Sequence, residues 1–311
     1  MEEVLKRTRG LGLLTLERLK RIGLSTPESV GAAPPGLLAD LLGIPVDKAV
    51  ELVEEARREV RLSISTALEV LEERKKRVEF ISTGVRGLDP ILGGGIETGC
   101  ITEFVGEFGA GKTQLCHQLA VMVQLPPDRG GLSAKAIYID TEGTFRPERV
   151  VQMAKYRGME PERVLSNIFY ARAYGVEYQI ALIREARELV ERGARLLILD
   201  NLIGNFRAEY LGEEGMRERQ RRLGEHLRDL RELAEDAEIA IVVTNHVLSK
   251  PGILGNPLRP AGGNVVSHAV AHRVWLRRIG EGKWAARVYD SPSLPEAEAI
   301  FVISEFGVLD G

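Results

Sequence analysis

The chain has only two cysteines, Cys100 and Cys116, too few for a disulfide framework or a zinc cluster. No stretch approaches the roughly 18 consecutive apolar residues that a membrane-spanning helix needs. The opening residues, Met1-Glu-Glu-Val-Leu-Lys-Arg, are charged at once and contain no secretory apolar run. An excess of positive charge is also missing: the net charge is −3. A histone-like basic arm is therefore excluded, and any grip on nucleic acid must come from local basic patches. These absences read as a cytoplasmic protein with no membrane partner.

What is present is an ordinary globular composition, 44% hydrophobic and 28% charged over 311 residues. That is enough for one sizeable α/β domain with a smaller companion. Residues 1–61 predict helical hairpins. Gly10-Leu-Gly12 precedes an amphipathic run from Thr15 to Ile22, and Gly43-Ile-Pro45 opens a second from Lys48 to Val60. Ala49, Leu52, Val53 and Ala56 lie at helical spacing in the second run. Glycine–apolar–glycine before a helix is the helix-hairpin-helix pattern, whose tight turn lets backbone N–H groups approach a DNA phosphate. Leu13 stands where that turn usually carries proline, and a plain packing bundle is the competing reading. Residues 62–80 read as a linker, with extended chain before a charged helix from Leu68 to Arg77. Residues 81–311 alternate β-rich apolar runs with helices, which predicts a mostly parallel sheet covered on both faces. The later strands follow one another closely, so an antiparallel edge is expected.

Gly106-Glu107-Phe108-Gly109-Ala110-Gly111-Lys112-Thr113 matches the whole phosphate-loop pattern. It follows the apolar run Ile101–Val105 and opens an amphipathic helix through Leu115, Leu119 and Met122. In such a loop the glycines let the backbone wrap phosphates, the lysine reaches the β- and γ-oxygens, and the hydroxyl of Thr113 holds Mg²⁺. Arg195-Leu-Leu-Ile-Leu-Asp200 is an apolar strand ending in a carboxylate, suited to the same Mg²⁺. Ala136-Ile-Tyr-Ile-Asp140 is another, followed by Thr141-Glu142-Gly143. Hydrolysis needs a base to orient and deprotonate water, and Glu142 is preferred over Asp140 for that role. ATP and Mg²⁺ are thus the expected cofactors, with Glu142 and Lys112 the catalytic pair.

The blocks Gly106–Thr113 and Thr141-Glu-Gly-Thr-Phe-Arg-Pro-Glu-Arg149 together resemble the archaeal RadA recombinases and their eukaryotic relatives. Gly94-Gly-Ile-Glu-Thr98, Gln114–Leu119, Leu125–Gly131, Phe206–Tyr210, Gly262-Gly-Asn264 and Asp290–Glu296 agree with that family. The resemblance implies a RecA-like P-loop core behind a small all-α helix-hairpin-helix domain. It also implies self-association into a filament or ring on single- and double-stranded DNA. By the same carry-over, Gln114 contacts the nucleotide and Arg149 lies against the adenine. The Asp290–Glu296 segment, with Asp290 and Pro295, caps a neighbour's nucleotide. His268 helps Asp290 sense the γ-phosphate, an arrangement that admits a monovalent cation such as K⁺. Two loops then face DNA, Asn205–Arg222 and Val247–Asn264. Arg207, Lys250 and Arg259, with Gly262 and Gly263, are the expected backbone contacts. Neither loop carries the aromatic ladder of an OB-type strand binder. Association with the nucleoid and with recombination mediator proteins follows from the same likeness.

Three positions depart from the family pattern. The subunit-docking segment, usually Phe-x-x-Ala, reads Ile64-Ser-Thr-Ala67, and the smaller side chain weakens docking by about 1 kcal/mol on area. The strand that usually ends Thr-Asn-Gln ends Thr244-Asn245-His246, placing an imidazole at the γ-phosphate sensor; its charge varies near neutral pH. Asn201 follows Asp200 where serine is usual. The leading reading is a DNA-dependent ATPase that pairs and exchanges homologous strands in recombinational repair. The alternative is a non-exchanging paralogue with an accessory DNA-binding role.

Overall fold

The computed structural model describes residues 1–8, 11–22, 24, 26–60, 65–248 and 258–311. It divides into two compact units, Met1–Arg74 and Lys75–Gly311. The division falls inside the helix Ala67–Arg77.

The first unit holds short helices at Glu2–Arg7, Leu13–Arg21, Pro27–Ala32, Pro35–Leu42 and Val46–Glu59. Thr26 starts the third with a reciprocal capping box to Ser29, which satisfies otherwise orphaned helix N–H groups. Gly43 ends the fourth in the left-handed region, φ 63°, where a side chain would be strained. Ala49, Leu52, Val53 and Ala56 are buried together with Leu19 and Leu38, so the predicted helical stripe forms the core of this unit. Gly10 and Gly23 of the expected hairpin turns lie outside the described residues.

The second unit is built on a nine-stranded sheet. Its strands are β1 Ile101–Gly106, β2 Lys135–Asp140, β3 Ile168–Arg172, β4 Ala194–Asp200, β5 Ala240–Asn245, β6 His272–Gly280, β7 Lys283–Asp290, β8 Glu298–Ser304 and β9 Gly307–Asp310. The spatial order is β9-β8-β7-β6-β1-β5-β4-β2-β3. From β6 to β3 all neighbours are parallel, and β6 to β9 form an antiparallel edge. The central strands are apolar on both sides because helices cover both faces. Alternate residues divide between two cores: Tyr138, Ile198 and Val242 face one, and Ile137, Leu197 and Ile241 the other.

The Asn205–Arg222 segment is a correction to the expectation of a loop. It is helical over Gly204–Glu209 and again within the long helix Gly212–Ala237. At the two ends of the second expected loop Val247 pairs with Pro260 and Leu248 with Arg259, and residues 249–257 between them lie outside the described residues. Among the described residues no helix is long and apolar enough to cross a membrane.

Candidate active site

The site lies at the carboxyl ends of the parallel strands, where open α/β sheets place their ligands. Strand β1 ends at Gly106, whose missing side chain matters: a Cβ there would come within 2.3 Å of the Leu276 carbonyl oxygen on β6. The loop then curls through Gly109 and Gly111, at φ 77° and 93°, into the helix Lys112–Met122. Inside the curl, the Lys112 ammonium donates to the carbonyls of Gly106 at 2.8 Å and Glu107 at 2.9 Å. Burial lowers its pKa, while the carboxylates of Asp200 and Glu142 pull the other way.

Asp200, at the end of β4, is 1% exposed and accepts hydroxyl hydrogen bonds from three elements. Thr113 donates at 2.8 Å, Tyr138 at 3.0 Å, and Thr244 binds the other oxygen. Hard cations take oxygen ligands, so the adjacent Thr113 hydroxyl and Asp200 carboxylate, opening on the phosphate loop, fit Mg²⁺.

The two acidic residues after β2 have separate fates. Asp140 accepts the backbone N–H groups of Glu142, Gly143 and Phe145 at 2.7–3.1 Å and pairs with Arg172. Burial alone would raise its pKa, but those amides outweigh it and hold the carboxyl below the usual range. Asp140 is thereby committed to shaping the turn. Glu142 faces the cleft instead, accepting from Asn201 Nδ2 at 2.6 Å and from His246 Nε2 at 2.8 Å. The His246 hydrogen bond is the main reason its pKa is lowered; burial opposes this and Lys112 reinforces it. Asn201 is itself fixed, its side-chain oxygen accepting from the amides of Ile203 and Gly204. Thr141 ties the two strand ends together through both polar groups of the Asn201 backbone.

Behind the loop, His117 accepts the Arg146 N–H on Nε2 and therefore donates from Nδ1 to the Thr113 carbonyl. Burial lowers its pKa, which favours this neutral form. The resulting cleft encloses about 550 Å³ and is lined by Phe108 to Gln114, Glu142, Arg149, Asp200 and His246. Arg149 is anchored on Gln114 and on the carbonyls of Ser304 and Glu305.

Sequence reasoning missed Trp284, Ile303 and Ser304, which line the same cleft. The Trp284 indole N–H donates to the Gly109 carbonyl at 2.9 Å. No local motif marks these residues, because they arrive from the antiparallel edge more than a hundred positions away.

Other expected residues lie elsewhere. Asp290, at the end of β7, and Pro295 are exposed and do not line this cleft, and neither does the exposed His268. Arg207 is exposed on the helix Gly204–Glu209, and Arg259 is exposed in the short strand opposite Leu248. Gly262 and Gly263 lead into the helix Asn264–Ser267, at φ 90° and 62°. Ala67 is exposed at the start of its helix. Ile64 and Lys250 lie outside the described residues.

A phosphate loop, a strand-end carboxylate beside its threonine and a glutamate across the cleft, all on a mostly parallel sheet, define a RecA-like P-loop nucleotide-binding core. Residues 73–311 match the family model described as Rad51, and the chain belongs to that family. Its members are RecA-like, DNA-binding ATPases of recombination that use ATP and Mg²⁺ and form filaments.

Proposed function

We propose that this chain is a strand-exchange ATPase similar to the archaeal RadA recombinases. It polymerises on single-stranded DNA, pairs it with a homologous duplex, and releases the product after ATP hydrolysis. The observation that carries this reading is Glu142, oriented by Asn201 and His246 across the cleft from Lys112 and Thr113.

In this reading Glu142 takes the proton of the attacking water, and Lys112 exchanges its loop carbonyls for phosphate oxygens. The backbone of Gly106–Thr113 cradles the phosphates, Gln114 contacts the nucleotide, and Arg149 lies against the adenine. Thr113 and Asp200 hold Mg²⁺, which when bound neutralises charge on the β- and γ-phosphates. Asp290 and Pro295 from an adjoining protomer close the cleft, with His246 and His268 reporting the γ-phosphate and K⁺ as a further ligand. Arg207, Lys250, Arg259, Gly262 and Gly263 contact DNA backbone, and Ile64 and Ala67 dock the next subunit. Residues 1–61 serve as the helix-hairpin-helix module, residues 62–80 as the linker and residues 81–311 as the ATPase core.

Strand exchange with ATP and Mg²⁺ is the test. Joint molecules are expected, and their absence from a protein that binds ATP fully overturns the reading. A second reading, a non-exchanging accessory paralogue, is favoured by the imidazole of His246 on Glu142 where the family usually has an amide. Particle size with ATP and single strands separates the two: a recombinase forms long assemblies, and the paralogue stays small.

A further inference from the structure

At the opposite ends of β1 and β6 from the phosphate loop, Glu97, Cys100 and His272 each offer one ligand atom. All three atoms lie within 4.8 Å of one another. The turn Glu97-Thr98-Gly99-Cys100 makes this possible. Gly99, at φ 78°, reverses the chain so that the Cys100 thiol returns to the Glu97 carbonyl at 3.6 Å. His272, 5% exposed, stands at the start of β6, with Nε2 3.2 Å from Glu97 Oε2. Its other nitrogen, Nδ1, is 3.0 Å from Ser291 Oγ. That hydroxyl is itself fixed by the backbone N–H groups of Ser293 and Leu294. A metal-ligating histidine ordinarily has its second nitrogen held in this way.

We propose that Glu97, Cys100 and His272 form a site for a borderline-soft divalent cation, of which Zn²⁺ is the best match. One thiolate, one imidazole and one carboxylate are a zinc donor set, and three protein ligands leave a fourth position for water. Zinc–ligand bonds of about 2.0–2.3 Å set donor–donor edges of roughly 3.2–3.8 Å. The His272–Glu97 pair already meets that edge, and the Cys100 sulfur, within 4.8 Å of both other ligand atoms, moves in to complete the set. Cys100 and Glu97 are half-buried, which gives the ion a way in. Binding releases the thiol proton to solvent and displaces the proton that Nε2 donates to Glu97, which the imidazole takes up on Nδ1 beside Ser291 Oγ. The ion ties the turn before β1 to β6, through three residues outside the nucleotide cleft. A shortage of cysteine excludes a cysteine-built cluster, yet this site needs only one.

The experiment is a Co²⁺ titration of the chelator-treated full chain in saturating Mg²⁺ and ATP, which keeps the nucleotide's own metal position filled. A thiolate-to-cobalt charge-transfer band is expected at one equivalent, and Zn²⁺ should abolish it by displacement. The band can come only from Cys100, because Cys116 is fully buried and its thiol is held protonated by burial and by Asp200. Cys100→Ser should lose the band and Cys116→Ala should keep it, both with unchanged ATP turnover, which also certifies that they fold. His272→Asn and Glu97→Gln should each weaken Co²⁺ binding about 10- to 100-fold, by analogy with the loss of metal-site partners. Zn²⁺ at 100 times its Kd should raise Tm by about 5–10 °C. A folded wild-type chain that gives no thiolate band overturns the proposal, as does a band that survives Cys100→Ser.

Discussion

Nε2 of His246 lies 2.8 Å from Oε1 of Glu142, the same oxygen that accepts the Asn201 amide. The end of β5 thus places an imidazole directly on the proposed base. Two donors converging on one carboxylate oxygen favour its ionised form, and the lowered pKa of Glu142 follows chiefly from the His246 bond.

A pH profile of turnover tests this relationship. The base must be ionised, so activity falls as pH drops through the Glu142 pKa. Because His246 depresses that pKa, His246→Ala should move the acid limb of the kcat profile to higher pH. His246→Gln, which keeps a donor, should move it less. An acid limb unmoved in both variants contradicts the assigned coupling.

Among the described residues, Lys112 carries the only ammonium on the cleft wall, and Lys112→Ala removes it. A hydrogen bond to a charged group contributes about 1.5–3 kcal/mol, so the Kd for ATP should rise by roughly 10- to 150-fold. Nucleotide-dependent DNA binding should be lost with it. Equilibrium binding of a fluorescent ATP analogue gives the first number, and a shift assay with single strands checks the second.

Inside the sheet, Arg273 on β6 pairs with Glu103 on β1 at 2.6 Å, and both are almost fully buried. Asn245 on β5 donates to the other Glu103 oxygen at 2.7 Å. Removing one partner of a buried pair strands the other charge, so Arg273→Met should cost about 3–5 kcal/mol. The double variant Arg273→Met/Glu103→Gln should recover part of that loss. Denaturant unfolding of the single and double variants measures both values.

Acid sensitivity should trace in part to His226, which is fully buried and pushed down to about 3 by burial. Gln179 donates to its Nε2 at 3.2 Å, and its Nδ1 has no hydrogen-bond partner among the described residues. The native state keeps it neutral, whereas the unfolded chain protonates it near its ordinary value. Its contribution is therefore intact above about pH 6.5 and is lost progressively as pH falls toward about 3. His226→Leu should flatten the fall of Tm over that window, and an identical slope in both proteins would contradict the assignment.

Much of the candidate site was legible because each part is a local motif on a strand end. Gly106–Thr113, Asp200 and Glu142 each sit where an apolar run stops, and parallel pairing brings those stops together. The preference for Glu142 over Asp140 could be stated from sequence, but its reason, the backbone amides that occupy Asp140, is visible only in three dimensions. Trp284 and Ser304 were hidden because their place depends on how the antiparallel edge folds back over the loop. The Asn205–Arg222 region read as a loop for a different reason. Gly212 and Gly215 punctuate it, and the buried stripe of its long helix begins only at Leu223. Before that point no apolar periodicity announces a helix.

The account rests most directly on Glu142 as the base, and one measurement addresses it. Single-strand-stimulated ATP turnover of Glu142→Gln should fall about 10²- to 10⁴-fold, the usual worth of a positioned general base, while ATP and DNA binding stay within twofold of wild type (about 0.4 kcal/mol). Turnover at the wild-type rate with binding intact would contradict the role assigned to this residue and the site built around it.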